Sequence, residues 1–336
     1  MLKITPTVRT IFIFGAILVA YYINKPPPRL SPQVAEWLNT SQTFKYNDTV
    51  DIHFHDFKSP EMGNINAEKK PVLLVIHGFP ASSYIWKNLI PKLQMQFSRV
   101  ILPDLLGLGF SDKPVGHSYS MMEQQRILEK LLIKLDVDNV HLVAHDYGVS
   151  IGQEFIHREN KGLSPVAVKS VCFLNGGLVP SRHDLLFIQK LFSSPTFKKI
   201  MPYLLTYPVY KNRLSSIFGP YRRPSDEQLQ DIWAIMLYKK GVFAIPDIFS
   251  YIFERRANEK RWVSALQDTA IPLHLVYGPE DPVNTPHGFL KTYRELVPGS
   301  SVTVLEGVGH YPQMEDPEGF IGSYKEFLQK KVLLVK

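Results

Sequence analysis

Apolar positions along this chain fall into short blocks separated by amphipathic stretches, and the period changes between them. Val72–Ile76, Arg99–Pro103, Val140–Ala144, Val168–Leu174, Leu273–Tyr277 and Ser301–Leu305 are short runs dominated by apolar and β-branched residues. That is the pattern of strands buried on both faces. Between them, Met121–Leu135, Tyr147–His157, Pro286–Val297 and Pro317–Leu328 repeat apolar positions with helical spacing. Strand and helix in alternation predict an α/β domain on a mainly parallel sheet. Ahead of it, Thr43–Phe57 alternates apolar and polar residues and breaks at Asn47-Asp48, which predicts a β-hairpin.

From Pro180 to Trp262 the alternation stops. This stretch is aromatic and basic, with Leu185–Phe192, Asp226–Leu237 and Phe243–Phe253 reading as helices. Placed between two core strands, it predicts a helical cap (180–262) inserted into a core made of 31–179 and 263–336. Its phenylalanines, Phe187, Phe192, Phe197, Phe243, Phe249 and Phe253, favour a hydrophobic substrate.

The first 30 residues form a third segment, a membrane anchor and linker. Thr10–Ile23 is uncharged and flanked by Lys3, Arg9, Lys25 and Arg29. As a helix it rises roughly 21 Å, short of a hydrocarbon core of roughly 30 Å. Snorkelling of Arg9 and inclusion of Leu2–Val8 would complete a span. Tyr21 and Tyr22 suit the interface, and Pro26-Pro27-Pro28 stops the helix. Ala20-Tyr21-Tyr22 offers no small-x-small cleavage site, so an uncleaved anchor is expected and not a signal peptide.

Composition fits this picture: 336 residues with 45% hydrophobic and 21% charged content are enough for a large core. The single cysteine, Cys172, lies inside an apolar run and reads as a buried thiol. The formal charge is +7, and the cap alone holds an excess of the same size in basic pairs: Lys198-Lys199, Arg222-Arg223, Lys239-Lys240, Arg255-Arg256 and Lys260-Arg261. They read as solvated helix faces or as a surface for anionic lipid headgroups. Nucleic acid is not expected as a partner, because no binding module accompanies the charge. Sequons at Asn39 and Asn47 would carry sugar only on a lumenal side.

The chemistry concentrates at His145-Asp146-Tyr147-Gly148, where an apolar strand turns into a helix. This is the context of a nucleophile elbow, with aspartate where a serine commonly stands. A carboxylate displaces a leaving group from saturated carbon and forms an alkyl ester, whereas on an acyl substrate it gains little. Asp281 follows the strand Leu273–Tyr277 and His310 follows Ser301–Leu305, which completes the order nucleophile, acid, histidine. All three lie past the carboxyl ends of strands, where open α/β sheets bind ligands. Singly, each has a plain structural reading: Asp146 as a helix N-cap, Asp281-Pro282 as a turn, His310 as a surface residue. The loop His77-Gly78-Phe79-Pro80 supplies the Phe79 N–H as half of an oxyanion hole, and the Tyr147 N–H supplies the other half. Gly148–Gly152 matches G-x-S-x-G literally, but Ser150 falls a turn into the helix and lacks the elbow.

On these residues the chain resembles the epoxide hydrolase and haloalkane dehalogenase branch of the α/β-hydrolases. The resemblance runs through His77–Pro80, Asp104–Pro114, His145–Gly148, Asn175–Gly177, Tyr277–Asn284 and His310–Pro317. The stretches Phe218–Pro224 and Arg261–Val263 are not shared by generic epoxide hydrolases and mark a narrower group. The resemblance implies an α/β-hydrolase fold with an eight-stranded sheet and a helical cap, at the endoplasmic reticulum membrane. It implies Asp146, Asp281 and His310 as the triad, with no metal or organic cofactor.

Two positions depart from the branch. Dehalogenases hold halide with a tryptophan beside the nucleophile, where this chain has Tyr147. Epoxide hydrolases protonate the substrate oxygen with two cap tyrosines, one just before the seventh strand. Here that region, Lys260–Ala265, has none. Tyr203, Tyr207, Tyr210, Tyr221, Tyr238 and Tyr251 are the cap candidates. The expected function is a membrane-anchored hydrolase of hydrophobic, lipid-derived epoxides acting through an Asp146 ester. A lipid hydrolase or acyltransferase on the same scaffold, and a non-catalytic lipid- or partner-binding protein, are the alternatives.

Overall fold

The computed structural model describes residues 9–10, 13–17, 20–21, 26, 28–60, 71–182, 194–283 and 288–332. Its strands are β1 (Gln42–Asn47), β2 (Val50–Lys58), β3 (Val72–Ile76), β4 (Arg99–Pro103), β5 (Asn139–His145), β6 (Ala167–Leu174), β7 (Leu273–Tyr277) and β8 (Ser301–Val304). They form one sheet in the order β1-β2-β4-β3-β5-β6-β7-β8. β1, β2 and β4 pair antiparallel, and every pair from β4 to β8 is parallel. The centre is the most apolar part of the sheet. β3 and β5 are buried except at their first residues, whereas β1, the edge, alternates exposed and half-buried positions.

Helices follow in chain order: α1 (Pro32–Thr40), α2 (Ile90–Gln94), α3 (Met121–Lys134), α4 (Tyr147–Asn160), α5 (Pro195–Leu204), α6 (Tyr207–Ser215), α7 (Asp226–Leu237), α8 (Ile245–Ile248), α9 (Tyr251–Ala257), α10 (Glu259–Gln267), α11 (Phe289–Leu296), α12 (Pro312–Glu315) and α13 (Pro317–Phe327). α3, α4 and α10 cover one face of the sheet, with Ile127, Leu131, Phe155 and Trp262 buried against it. The other face packs under α13 and the 3-10 turn Ser83–Leu89, with Trp86, Phe97, Phe320 and Tyr324. Covering both faces is what allows a parallel sheet of nearly continuous apolar strands. Cys172 is fully buried in β6.

Between β6 and β7 the described residues hold helices and no strand. α7 spans Asp226–Leu237 as its periodicity predicts, and a capping box between Ser225 and Gln228 fixes its start. The helix expected over Phe243–Phe253 is instead broken. Phe243 ends a 3-10 stretch, α8 stops after one turn, and α9 starts afresh at Tyr251; the left-handed Lys239 and Lys240 lie ahead of the stretch. Leu185–Phe192 lies outside the described residues. α10 already packs on α4 from Glu259, just ahead of the boundary expected at 262.

The anchor segment is helical where it is described, at 9–10, 13–17 and 20–21, and the rest of it lies outside the described residues. Among the described residues no helix is long and apolar enough to cross a membrane.

Candidate active site

β5 delivers Asp146 to the rim of the sheet. The residue sits between strand and α4 at φ 48°, ψ −109°, a strained backbone for a side chain with a Cβ. The turn is tight because its neighbours are glycines. A Cβ on Gly148 would lie 2.8 Å from the His77 carbonyl oxygen, and one on Gly78 would lie 2.6 Å from the Asp146 Cβ. The Asp146 N–H donates to the Asn175 carbonyl at 3.1 Å. The side chain is buried, and the Phe79 N–H donates to its Oδ2 at 3.0 Å. The loop carrying Phe79 is steadied by His77, whose Nε2 accepts from the Leu105 N–H at 2.9 Å while Nδ1 faces the Gly78 carbonyl. The Phe79–Pro80 peptide is cis.

The structure brings Asp281 and His310 to the same rim. His310 Nδ1 bonds Asp281 Oδ2 at 2.9 Å, and His310 Nε2 stands 3.8 Å from Asp146 Oδ1. All three are buried. With Nδ1–H given to Asp281, the Nε2 lone pair faces the Asp146 carboxylate. Burial pulls the His310 pKa down. The Asp281 charge and hydrogen bond, then Asp146 and Glu315, more than offset it and leave it above the ordinary histidine value. Forming an ester at Asp146 would remove one of those charges and shift His310 toward its neutral, basic form.

Three supports of this constellation were not singled out as site residues by sequence reasoning. Asn175, just past β6, joins both loops. Its Nδ2 donates to Asp281 Oδ2 at 2.9 Å and to the Gly278 carbonyl at 2.9 Å, and its Oδ1 accepts from the Gly278 N–H at 2.8 Å. Glu315 accepts from the backbone N–H groups of Gly219, Gly309 and Tyr311 at 2.8–2.9 Å, clamping the His310 loop. His145 donates from Nε2 to the His310 carbonyl at 2.8 Å, and burial pushes its pKa down to about 4, so the ring is neutral. The signals available were the strand-end position of Asn175-Gly176-Gly177 and the Glu315-Asp316-Pro317 run after His310. Neither reveals a partner so distant in sequence.

Tyr147 is fully buried and its hydroxyl donates to the Tyr119 carbonyl at 2.9 Å. Its ring meets Tyr251 edge-on at 5.2 Å. Tyr251 packs near Phe79 and Phe249, and burial followed by the Asp146 charge raises its pKa. The other cap tyrosines differ. Tyr207 donates to Asp226, Tyr221 is 86% exposed, Tyr203 packs on Phe243, and Tyr238 packs on Phe110. Tyr210 is buried with an unpartnered hydroxyl. Ser150 is buried in α4 and accepts from Arg255 Nε at 2.9 Å. Among the described residues no cluster of His, Cys, Asp and Glu is arranged to hold a metal ion.

This fold recurs in known proteins. A family profile described as alpha/beta hydrolase fold matches residues 71–317, and the chain belongs to that family of hydrolases. Within it, the chain is similar to the mesoderm-specific transcript protein of Mus musculus, 38% identical over 93% of this chain and 92% of that one. It is also 34% identical to a putative hydrolase, LipZ, of Mycobacterium tuberculosis, over 74% of this chain and 85% of the relative. Among solved structures, epoxide hydrolase CorEH superposes with a TM-score of 0.68 at 20% identity, covering 86% of this chain and 98% of that one. Haloalkane dehalogenase DbeA from Bradyrhizobium elkani USDA94 does so with a TM-score of 0.68 at 20% identity, covering 88% and 99%.

Proposed function

We propose that this hydrolase opens epoxides on hydrophobic, lipid-derived molecules through an ester at Asp146. The observation that carries the reading is the Asp146–His310–Asp281 geometry, a buried carboxylate nucleophile facing the free nitrogen of a histidine whose other nitrogen is held. Asp146 attacks an epoxide carbon, the carbon–oxygen bond breaks, and the released oxygen takes a proton from the Tyr251 hydroxyl. His310 then takes a proton from water, and the hydroxide attacks the Asp146 carboxyl carbon. The Phe79 N–H stabilises the resulting oxyanion, with the Tyr147 N–H as its companion donor. Collapse leaves one water oxygen on Asp146 and releases the diol, whose oxygen takes the proton from His310, while the second water proton passes from the Asp146 carboxyl back to the Tyr251 oxygen and restores both groups.

Halide displacement is disfavoured because the Tyr147 hydroxyl is already committed to a backbone carbonyl. The aromatic wall of Phe79, Phe249 and Tyr251 supports an apolar substrate. We further place the protein at the endoplasmic reticulum membrane, held by the uncharged run Thr10–Ile23. The exposed Ile200, Leu204 and Val209 of α5 and α6 support a bilayer-facing cap, lying between lysines and arginines in a stretch from Ser194 to Ser225 free of acidic residues.

The test is trapping. His310→Gln, incubated with a panel of lipid epoxides, should gain the mass of one substrate on the peptide containing Asp146. Absence of the adduct across the panel, with Asp146→Ala turning over esters normally, would favour the acyl-hydrolase alternative.

A further inference from the structure

Arg255 is a cap residue on α9, yet it is 5% exposed and reaches the nucleophile turn. Its Nη2 donates to the Asp146 carbonyl oxygen at 2.8 Å, and its Nε donates to Ser150 Oγ at 2.9 Å. The guanidinium carbon stands 4.7 Å from the centre of the Tyr251 ring. A Cβ on Gly177 would come within 2.8 Å of Nη1, so the loop after β6 closes directly on the group. Among the described residues, Arg255 makes no ion pair.

A guanidinium taken out of water without a carboxylate partner is costly, and two hydrogen bonds with one ring face offset only part of the loss. One hydrogen bond lands on the turn that carries the nucleophile, and the other on the first turn of α4 that follows it. One fixes the carbonyl of the residue whose φ is positive, where backbone strain must be held by its surroundings. The other uses Ser150, which accounts for the serine of the literal G-x-S-x-G: it is an acceptor for Arg255, not a nucleophile.

We propose that Arg255 is a positioning residue: it ties cap helix α9 to the Asp146 backbone, so the carboxylate is aimed while the cap is seated. The two peptide planes that flank Asp146 are then each held, the preceding one by the Asn175 carbonyl on the Asp146 N–H and the following one by the Val149 N–H and Arg255 on the Asp146 carbonyl. The same arginine faces Tyr251, so nucleophile and proton donor are placed by one cap element. This inference rests on the covalent reading above and deepens it.

The test is the single-turnover rate of Asp146 alkylation in the full chain, with substrate affinity measured alongside. Arg255→Met should slow alkylation at saturating epoxide by about 100-fold with affinity within about threefold, the scale of a misplaced reacting group. Arg255→Lys, which keeps a charged donor, should recover about a tenth of the wild-type rate, and Ser150→Ala should lose less than about threefold. A folded Arg255→Met that alkylates at the wild-type rate, or loses affinity alone, overturns the proposal. If the methionine variant does not fold, an Arg255→Lys no slower than wild type, or a Ser150→Ala as slow as a nucleophile variant, overturns it equally. Wild-type protein that never forms the ester overturns the covalent reading itself, a result separable from normal alkylation left untouched by the Arg255 variants.

Discussion

On the proposed ester route, the charges around His310 set the order of events at Asp146. Asp281 holds one nitrogen of the ring, and its charge with that of Asp146 keeps the ring more basic than an ordinary histidine. Asp281→Asn removes a charge and a fixed tautomer while leaving the nucleophile in place. Alkylation should persist in that variant, the hydrolytic step should slow by about 10³-fold, and the acid limb of its pH–rate profile should move to lower pH. Rapid-quench kinetics with a pH series would check all three, and an unchanged hydrolytic rate would contradict the role given to His310. That Asp146, Asp281 and His310 meet at one rim was legible in the sequence because each lies in the loop past a strand whose apolar run is distinctive. Asn175, Arg255 and Glu315 were not, since their partners lie far along the chain and only the fold brings them together.

At the level of elements, the strands were legible to within a residue or so at each end because parallel central strands are uninterrupted apolar runs. The cap was less so. Phe243–Phe253 has a helical pattern, but it is divided into the end of a 3-10 stretch, the one-turn α8 and the start of α9. The basic pairs also resolve differently from a uniform lipid-binding surface. Arg222 pairs with Asp316, Lys239 with Asp112 and Arg261 with Glu154, while Arg255 is buried. The Arg261 pair joins α10 to α4: both Nε and Nη2 reach Glu154 at 2.8 Å, and Trp262 Nε1 adds a third donor at 2.9 Å. Burial raises the Glu154 pKa, but these donors outweigh it and leave the carboxyl below its usual range. Arg261→Met strands that carboxylate and should cost on the order of 3 kcal/mol. A calorimetric melting temperature within a degree of wild type would show that α10 is held by packing alone.

For the molecule as a whole, buried neutral histidines make stability depend on pH. His55, His141, His145 and His274 are each pushed down to about 4 by burial, against about 6.5 in an unfolded chain. As pH falls from 6.5 toward 4 the unfolded chain takes up protons that the folded one refuses, so stability is lost across that window. His310, with its raised value, works in the opposite direction, but it stands against these four and against His53, His77 and His157, which burial also lowers. The expected loss between pH 7.5 and 5 is on the order of 5 kcal/mol. Thermal melts over that range should show a clear fall, and a flat profile would mean that these rings reach water in the native state.

The central claim is that Asp146 is consumed and regenerated by water in each cycle. One turnover of a lipid epoxide in heavy-oxygen water, with excess enzyme, reports this directly. The account predicts one labelled oxygen in the Asp146 carboxylate and none in the first diol released. Label in the diol and none in the protein would mean that water attacks the epoxide itself, and the ester mechanism would be wrong.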